Sequence, residues 1–321
     1  MRVGVDTGGT FTDAVSEDGR TVKVLSTPDD PAAVVGAAMA GLGAVDVLAH
    51  GTTVATNALL ERTGATVALV TNNGFEDVIE IARQDRPSLY DLFADRPSPL
   101  VDRHRRLGIS GRLAAEGSEL EPVVLSGWLG ADGLNGADVI AVCLLHSDLC
   151  RDHEDAVASV LREAGFDVSA SCDVSPEFRE YERTLTTVVN AYLRRTCREY
   201  LSRLSALAAD VLVLTSAGGL MPVLDAAELP VALLLSGPAG GVIAGAAAAA
   251  ANGYADAITF DMGGTSTDVC LVRGAAPEAA AGRLVAGFPI RLPSLDVHTI
   301  GAGGGSIARI DAGGALVVGP Q

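Results

Sequence analysis

The chain has 321 residues, 48% of them hydrophobic, enough to bury a large core, and a formal net charge of −17. That negative field repels nucleic acid and anionic lipid, so neither is expected as a partner. Five cysteines (Cys143, Cys150, Cys172, Cys197, Cys270) are odd in number and fit no CxxC or metal-ligand spacing, which reads as reduced, mostly buried thiols of a cytoplasmic protein.

The first apolar run, Arg2 to Val5, is a predicted strand. It leads into Asp6 to Asp13, DTGGTFTD, and a second run, Phe11 to Val15, completes a strand–turn–strand unit. A functional turn this early leaves no room for a signal peptide. Gly8 and Gly9 lack a Cβ, so backbone N–H groups can converge on an anion. Thr7, Thr10 and Thr12 add hydroxyl donors suited to phosphate oxygens. Asp6 ends the incoming strand and can hold Mg²⁺ through its retained waters.

Thr21 to Ser26 is a third predicted strand and Pro31 to Leu42 a helix opened by proline. Val45 to Ala49 is a short buried strand that ends in His50-Gly51-Thr52-Thr53 before a helix running to about Arg62. A strand, a small polar loop and a helix form the βα unit whose loop lines a ligand crevice, which makes His50, Thr52 and Thr53 candidate substrate contacts. Thr66 to Thr71 continues as strand and Gly74 to Ala82 as helix. The proline-bearing segment Arg83 to Arg103 is expected to run over the surface or the cleft, with Arg83, Arg86 and Tyr90 as candidates for substrate or phosphate, against a solvated loop.

Asp138 to Leu145 reads as a buried strand and Asp152 to Ala164 as an amphipathic helix. Pro176 to Leu204 is long, charged and periodic, with Ser175 as the expected cap, and reads as a scaffold helix. Asn190 and Arg183 within it suit buried structural hydrogen bonds better than a cleft. Val211 to Thr215 and Val231 to Leu235 are two further predicted strands. Ser236-Gly237-Pro238 then opens a helix of small residues. Gly240, Gly241 and Gly245 would let it lie close to other backbones. Its alanine-rich end, 244–251, is the longest apolar run and too short to span a membrane.

The turn then recurs. Asp261 to Asp268 reads DMGGTSTD, preceded by Ala257 to Phe260 and followed by Val269 to Val272. One such turn would be an ordinary hairpin. Two matched copies, each with Asp at both ends, point instead to a shared polyphosphate. Gly263, Gly264, Thr265 and Thr267 are its second set of contacts, Asp6 and Asp261 its metal-holding pair, and Asp13 and Asp268 the residues that orient the hairpins or a water. Gly282 to Leu292 holds short strands. Val297 to Ile300 is another, entering Gly301 to Ser306, where Gly303 and Gly304 are expected to open a helix and make a third phosphate contact. His298, just before that run, is a candidate catalytic residue.

Paired hairpins clamping one nucleotide resemble the superfamily of sugar kinases, actin and the heat-shock chaperone ATPases. The implied ligand is ATP with Mg²⁺, the implied fold is α/β with actin-like, ribonuclease-H-like lobes of mixed sheets flanked by helices, and the small-residue helix stands where the superfamily has its inter-lobe hinge. HGTTVATNALLERTGA (50–65), RQDRPSLYDL (83–92), SPEFREYERTLTTVVNAYL (175–193), LLLSGPAGGVIAGA and the stretch from PSLDVHTIGAGGG onward resemble the A-type subunit of the hydantoinase/oxoprolinase family across nearly the whole chain. That resemblance implies ATP-dependent opening of a cyclic amide such as hydantoin or 5-oxoproline, with a B-type partner subunit. It implies an amino-terminal region at 1–175 and an A-type region at 176–321, the latter holding the crossing helix to about 252 and an incomplete second lobe at 253–321. A small-molecule kinase and a nucleotide-dependent regulatory subunit are the rival readings.

Overall fold

The computed structural model describes residues 1–321 except 9, 28, 29, 126, 265, 320 and 321. The chain begins as three antiparallel strands, β1 (Arg2–Thr7), β2 (Phe11–Ser16) and β3 (Thr21–Leu25), and crosses through helix α1 (Pro31–Ala40) to β4 (Val47–Thr52). Asp30 caps α1 by accepting the Ala33 N–H at 3.0 Å, and Pro31 supplies its first residue. After α2 (Val54–Leu60) come β5 (Val67–Asn72), β6 (Arg106–Ile109), β7 (Val139–Val142), α3 (Asp152–Glu163), β8 (Asp167–Ala170) and the long helix α4 (Glu180–Leu204). Then follow β9 (Asp210–Leu214), β10 (Leu220–Pro222), α5 (Ser236–Ala251), β11 (Ala257–Met262), β12 (Thr267–Arg273), β13 (Ala276–Pro277), β14 (His298–Ile300), β15 (Ile307–Ile310) and β16 (Leu316–Gly319).

Three sheets organise these elements. The first runs β10-β9-β4-β1-β2-β3, with β9, β4 and β1 parallel and the remaining neighbours antiparallel. The second, β8-β7-β5-β6, is parallel throughout, and its β5 and β7 are buried at every position, as a sheet covered on both faces requires. The third is built on the hairpin β11–β12, with β13 and β14 also paired to β12.

Helix α4 is the common wall of the first two sheets. Sixteen of its residues are buried, including the fully enclosed Leu193, Leu201 and Leu204, each worth roughly 1.5–3 kcal/mol of burial. Its buried polar face stays satisfied because Thr184, Thr186 and Thr187 donate to carbonyls one turn back, at 2.6–2.8 Å. Asn190 donates to Ser169 and the Glu228 carbonyl, and Arg183 pairs with Asp148 at 2.7 Å, so both are structural as expected.

Helix α5 explains its glycines by what it touches. A Cβ on Gly240 would sit 2.8 Å from Leu214 of the first sheet, one on Gly245 would sit 2.8 Å from Thr259 of the third, and one on Gly241 would lie 3.8 Å from the Asp261 carboxylate. At Gly240 and Gly245 the helix lies against the two sheets closer than a Cβ would fit without a shift of the neighbouring side chain, while at Gly241 the spacing is ordinary contact.

Several sequence expectations are corrected. Val231 to Leu235 is no strand but a 3₁₀ turn (Pro230–Leu233), because its backbone is held by side chains: Val231 N–H donates to Asn190 and Leu235 N–H to Thr56. A buried apolar run of that length reads alike in either state. Gly74 to Ala82 forms only the single turn Val78–Ile81 and stops at Ala82, whose φ is +52°. Ser175 does not cap α4. Its hydroxyl donates to the Arg291 carbonyl, and the helix starts at Glu180 after a left-handed Arg179. The run 301–306 leads into strand β15, not a helix. The five cysteines are free thiols, and among the described residues no helix is long and apolar enough to cross a membrane.

Candidate functional site

The two hairpins have the same register. Asp6 faces Asp13 and Thr7 faces Thr12; Asp261 faces Asp268 and Met262 faces Thr267. Gly8 N–H closes the first turn on the Phe11 carbonyl at 3.0 Å, and Gly263 N–H closes the second on the Ser266 carbonyl at 2.9 Å. Gly9 and Thr265 lie outside the described residues.

Because side chains alternate across a strand, pairing decides which residues share a face with Asp6. Asp6 lies opposite Gly51 of β4, in the row that Leu214 of β9 extends. Gly51 is glycine for a reason: a Cβ there would stand 2.6 Å from Asp6 Oδ1. Leu214 is two strand spacings from Asp6, about 10 Å, and touches α5 at Gly240, while the next residue, Gly241, faces Asp261. The carboxylate faces of both hairpins therefore look onto the same turn of α5. Its first residue is fixed there, since Ser236 Oγ donates to the Thr52 carbonyl at 3.2 Å.

The electrostatics suit a cation. Protein atoms packed around the Asp6 carboxyl, and secondarily the Asp13 carboxylate, push its pKa above the usual carboxylate value. An acid held high by desolvation and a neighbouring carboxylate is one that a divalent ion would stabilise in its charged form. Asp13 is ion-paired with Lys23 at 2.9 Å, and Asp268 accepts from Thr299 Oγ1 at 2.6 Å, so the outer aspartates are oriented by local partners.

The other face of the first sheet holds Thr7, Thr12, His50 and Thr52, all buried. His50 accepts no role at Asp6. Its Nδ1 donates to the Val5 carbonyl (3.1 Å) and its Nε2 accepts from Tyr200 Oη (2.6 Å), and burial lowers its pKa to about 4, leaving it neutral and structural. Thr12 bonds Ser26 Oγ at 3.0 Å, and Ser26 Oγ also donates to the Gly8 carbonyl at 2.8 Å. Thr267 donates to the Ala302 carbonyl at 2.6 Å. These hydroxyls brace the hairpins. Thr10 is exposed, and its carbonyl accepts the Ser26 N–H at 2.9 Å.

The glycine run 301–306 braces the second hairpin. Gly304 N–H donates to the Gly263 carbonyl at 2.9 Å and Gly305 N–H to the Gly264 carbonyl at 2.8 Å. A Cβ on Gly303 would come within 2.6 Å of the Gly263 oxygen. Of the amides expected of a third phosphate contact, that of Gly304 is thus spent on the second turn, and that of Gly303 donates to Ser306 Oγ at 2.8 Å. His298 lies opposite Val269, while Thr299 lies opposite Asp268, so its side chain belongs to the sheet face turned away from Asp261, exposed beside Asp296 at 3.5 Å. Arg83 is engaged at the surface with Glu182, its Nε 2.8 Å from Oε1, and Tyr90 is 97% exposed.

Beneath the first turn, on the Thr7 side, lies a cavity of about 630 Å³ bordered by Thr7, Gly8, Thr53, Asn57, Glu199 and Tyr200, among others. Of the residues predicted from the sequence, only Thr53, Thr7 and Gly8 reach it. Gly51, the neighbour that makes room for Asp6, carries no chemistry of its own in the sequence. Only the parallel pairing of β1 with β4 reveals it.

Two family models match the chain: the hydantoinase/oxoprolinase N-terminal region over residues 2–165 and hydantoinase/oxoprolinase over residues 183–321. The chain belongs to the hydantoinase/oxoprolinase family. It is 35% identical to caprolactamase subunit alpha of Pseudomonas jessenii, over 100% of this chain and 50% of that one. It is 34% identical to 5-oxoprolinase 1 of Arabidopsis thaliana, over 100% of this chain and 29% of that one. Among solved structures it matches the ATP-dependent caprolactamase from Pseudomonas jessenii with a TM-score of 0.88 and 34% identity, and nucleotide-free acetone carboxylase with a TM-score of 0.77 and 28% identity. In each case it covers 100% of this chain and 51% of the other. The α/β, actin-like ATPase architecture expected from the sequence is therefore the one observed. The chain spans about half or less of the length of these relatives.

Proposed function

We propose that the chain is the nucleotide-gripping part of an ATP-dependent cyclic-amide hydrolase, contributing a first lobe, the crossing helix and the beginning of a second lobe of an A-type subunit. The observation that carries this reading is the convergence of the Asp6 face and the Asp261 face on α5 at Gly240–Gly241. Asp6 and Asp261 would hold Mg²⁺ through water. Mg²⁺ keeps several of its waters when carboxylates hold it, so neither aspartate would need to touch the ion directly. Gly8, Gly9, Gly263 and Gly264 would let backbone amides approach phosphate, while Asp13, fixed by Lys23, and Asp268, fixed by Thr299, set the hairpin rims.

An amide resists water because resonance makes its carbonyl carbon a poor electrophile; ATP supplies a phosphoryl group to the amide oxygen, which removes that protection. The protein's part is positioning and charge neutralisation, the usual content of phosphoryl transfer. The relative named as a subunit alpha supports a companion subunit, which we assign as B-type.

The test is to incubate the chain, alone and with a B-type subunit, with MgATP and a panel of lactams and hydantoin, and to quantify ADP and ring-opened acid. Lactam-dependent ADP matched one to one by ring-opened acid is expected. A stable phosphorylated product would indicate a kinase, and nucleotide binding without turnover in any combination a regulatory subunit.

A further inference from the structure

The two hairpins match in register but not in what surrounds them. Since Asp261 matches Asp6, Ile258, Phe260 and Met262 of β11 match Val3, Val5 and Thr7 of β1. The three β1 residues are 2–5% exposed, and β1 has a strand on each side, β2 antiparallel and β4 parallel. Among the described residues β11 has a strand on one side only, β12.

Helix α5 covers one face of β11, at Thr259 and Asp261. On the other face Ile258, Phe260 and Met262 are joined by Leu271, opposite Ile258, and by Ile300, opposite Thr267 and so beside Met262. All five side chains are exposed. A free edge offers a row of backbone donors and acceptors to another chain, and natural edges are usually blunted by lysine, proline or a bulge. The strand AITFDM carries neither residue, and its register on β12 is unbroken. An apolar patch beside such an edge marks an interaction surface, and addition of a strand is the mode it fits.

The first hairpin shows what the edge accepts. There β4 fills the edge of β1, running parallel with Gly51 opposite Asp6, and continues through Thr52-Thr53 into α2. A Cβ at position 51 would stand 2.6 Å from Asp6 Oδ1. Because β11 and β12 repeat the register of β1 and β2, a strand laid parallel on β11 meets the same demand at Asp261. A second copy of this chain is the poorer occupant: each carries a net charge of −17, so two copies repel. Caprolactamase subunit alpha, by contrast, carries as much chain again outside the half that this one matches.

We propose that a separate polypeptide adds a parallel strand to the free edge of β11, with glycine opposite Asp261, and lays an apolar helix over Ile258, Phe260 and Met262, as α1 and α4 lie over their counterparts. The residues after that glycine then stand to Asp261 as Thr52 and Thr53 stand to Asp6. The nucleotide site is thereby completed across two polypeptides, a consequence that rests on the nucleotide reading above.

The test mixes the chain with the half of the Pseudomonas jessenii caprolactamase subunit alpha that it does not match, produced as a separate polypeptide. A one-to-one complex is expected by light scattering without nucleotide, together with MgATP binding at least tenfold tighter in the complex than in the chain alone. Phe260→Asp should abolish the complex and leave the circular dichroism spectrum of the chain unchanged, with Phe260→Ser as the substitute if the added charge disturbs folding. No complex, or one that survives substitution of Phe260, would overturn the docking assignment. So would a wild-type homodimer that Phe260→Asp dissociates, since the face would then belong to a second copy. A complex that leaves MgATP affinity unchanged would overturn the shared site. A complex that forms while neither it nor the chain binds MgATP would uphold the docking and overturn the nucleotide reading instead.

Discussion

The first hairpin stands in the middle of a six-stranded sheet, with α1 and α4 packed behind β1 and every second residue of β1 buried. The second, with the same register and the same turn closure, stands on a small sheet whose other face is open: Ile258, Phe260 and Met262 are 54–65% exposed. The bracing differs accordingly. Ser26 secures the first turn through its hydroxyl, on Thr12 and the Gly8 carbonyl, and through its own N–H on the Thr10 carbonyl, whereas the second is held by two backbone amides of the 301–306 run, by the Thr267 hydroxyl on the Ala302 carbonyl and by α5. Two eight-residue turns that differ at only two positions thus draw rigidity from different sources. The second turn takes part of its bracing from a glycine loop further along the chain.

This difference can be broken most sharply at Gly303. Its position leaves no space for any side chain, so Gly303→Val should expel the 301–306 run from the second turn and lower MgATP affinity more than tenfold. The near-ultraviolet and thermal signature of the first lobe should persist, since none of its core passes through Gly303. Titration calorimetry beside circular dichroism checks both halves. Loss of the whole fold would mean that the two hairpins are not independently supported.

The paired turns were legible because each is local, with strand, glycines and flanking aspartates within eight residues. Helix α5 was legible because Gly240, Gly241 and Gly245 break an alanine pattern that packing alone would not break. What failed was anything set by pairing between distant segments. Which of His50, Gly51 and Thr52 accompanies Asp6 depends on a one-residue register between β1 and β4, and a slip of one exchanges every side chain between faces. The same parity removes His298 from Asp261. The strand expected at Val231 to Leu235 failed for a related reason: its backbone partners are side chains, Asn190 and Thr56, far away in sequence.

A smaller effect separates the hairpins by pH. Asp6 titrates above the ordinary carboxylate value when no cation is bound, because of its packing and then Asp13. Its folded pKa exceeds its unfolded one, so its contribution to stability is fully present below the unfolded pKa and is lost as pH rises through the folded pKa. At neutral pH, without magnesium, Asp6→Asn should therefore raise the melting temperature slightly, the gain being small because Asp6 is partly solvent-screened, and it should vanish on acidification toward the ordinary carboxylate range. Scanning calorimetry at neutral and acid pH decides it. A lowered melting temperature at neutral pH would show that ionised Asp6 is compensated by charge within the protein.

The account stands or falls on whether the aspartates of the two hairpins serve one ion. The direct measurement is the Mg²⁺ dependence of ATP binding in Asp6→Ala, Asp261→Ala and the double variant. If both act on the same hydrated magnesium, each single variant loses the Mg²⁺ enhancement, at least tenfold (about 1.4 kcal/mol), and the double loses little more. Additive losses, or a variant that keeps the full enhancement, would mean that the hairpins do not share a cation.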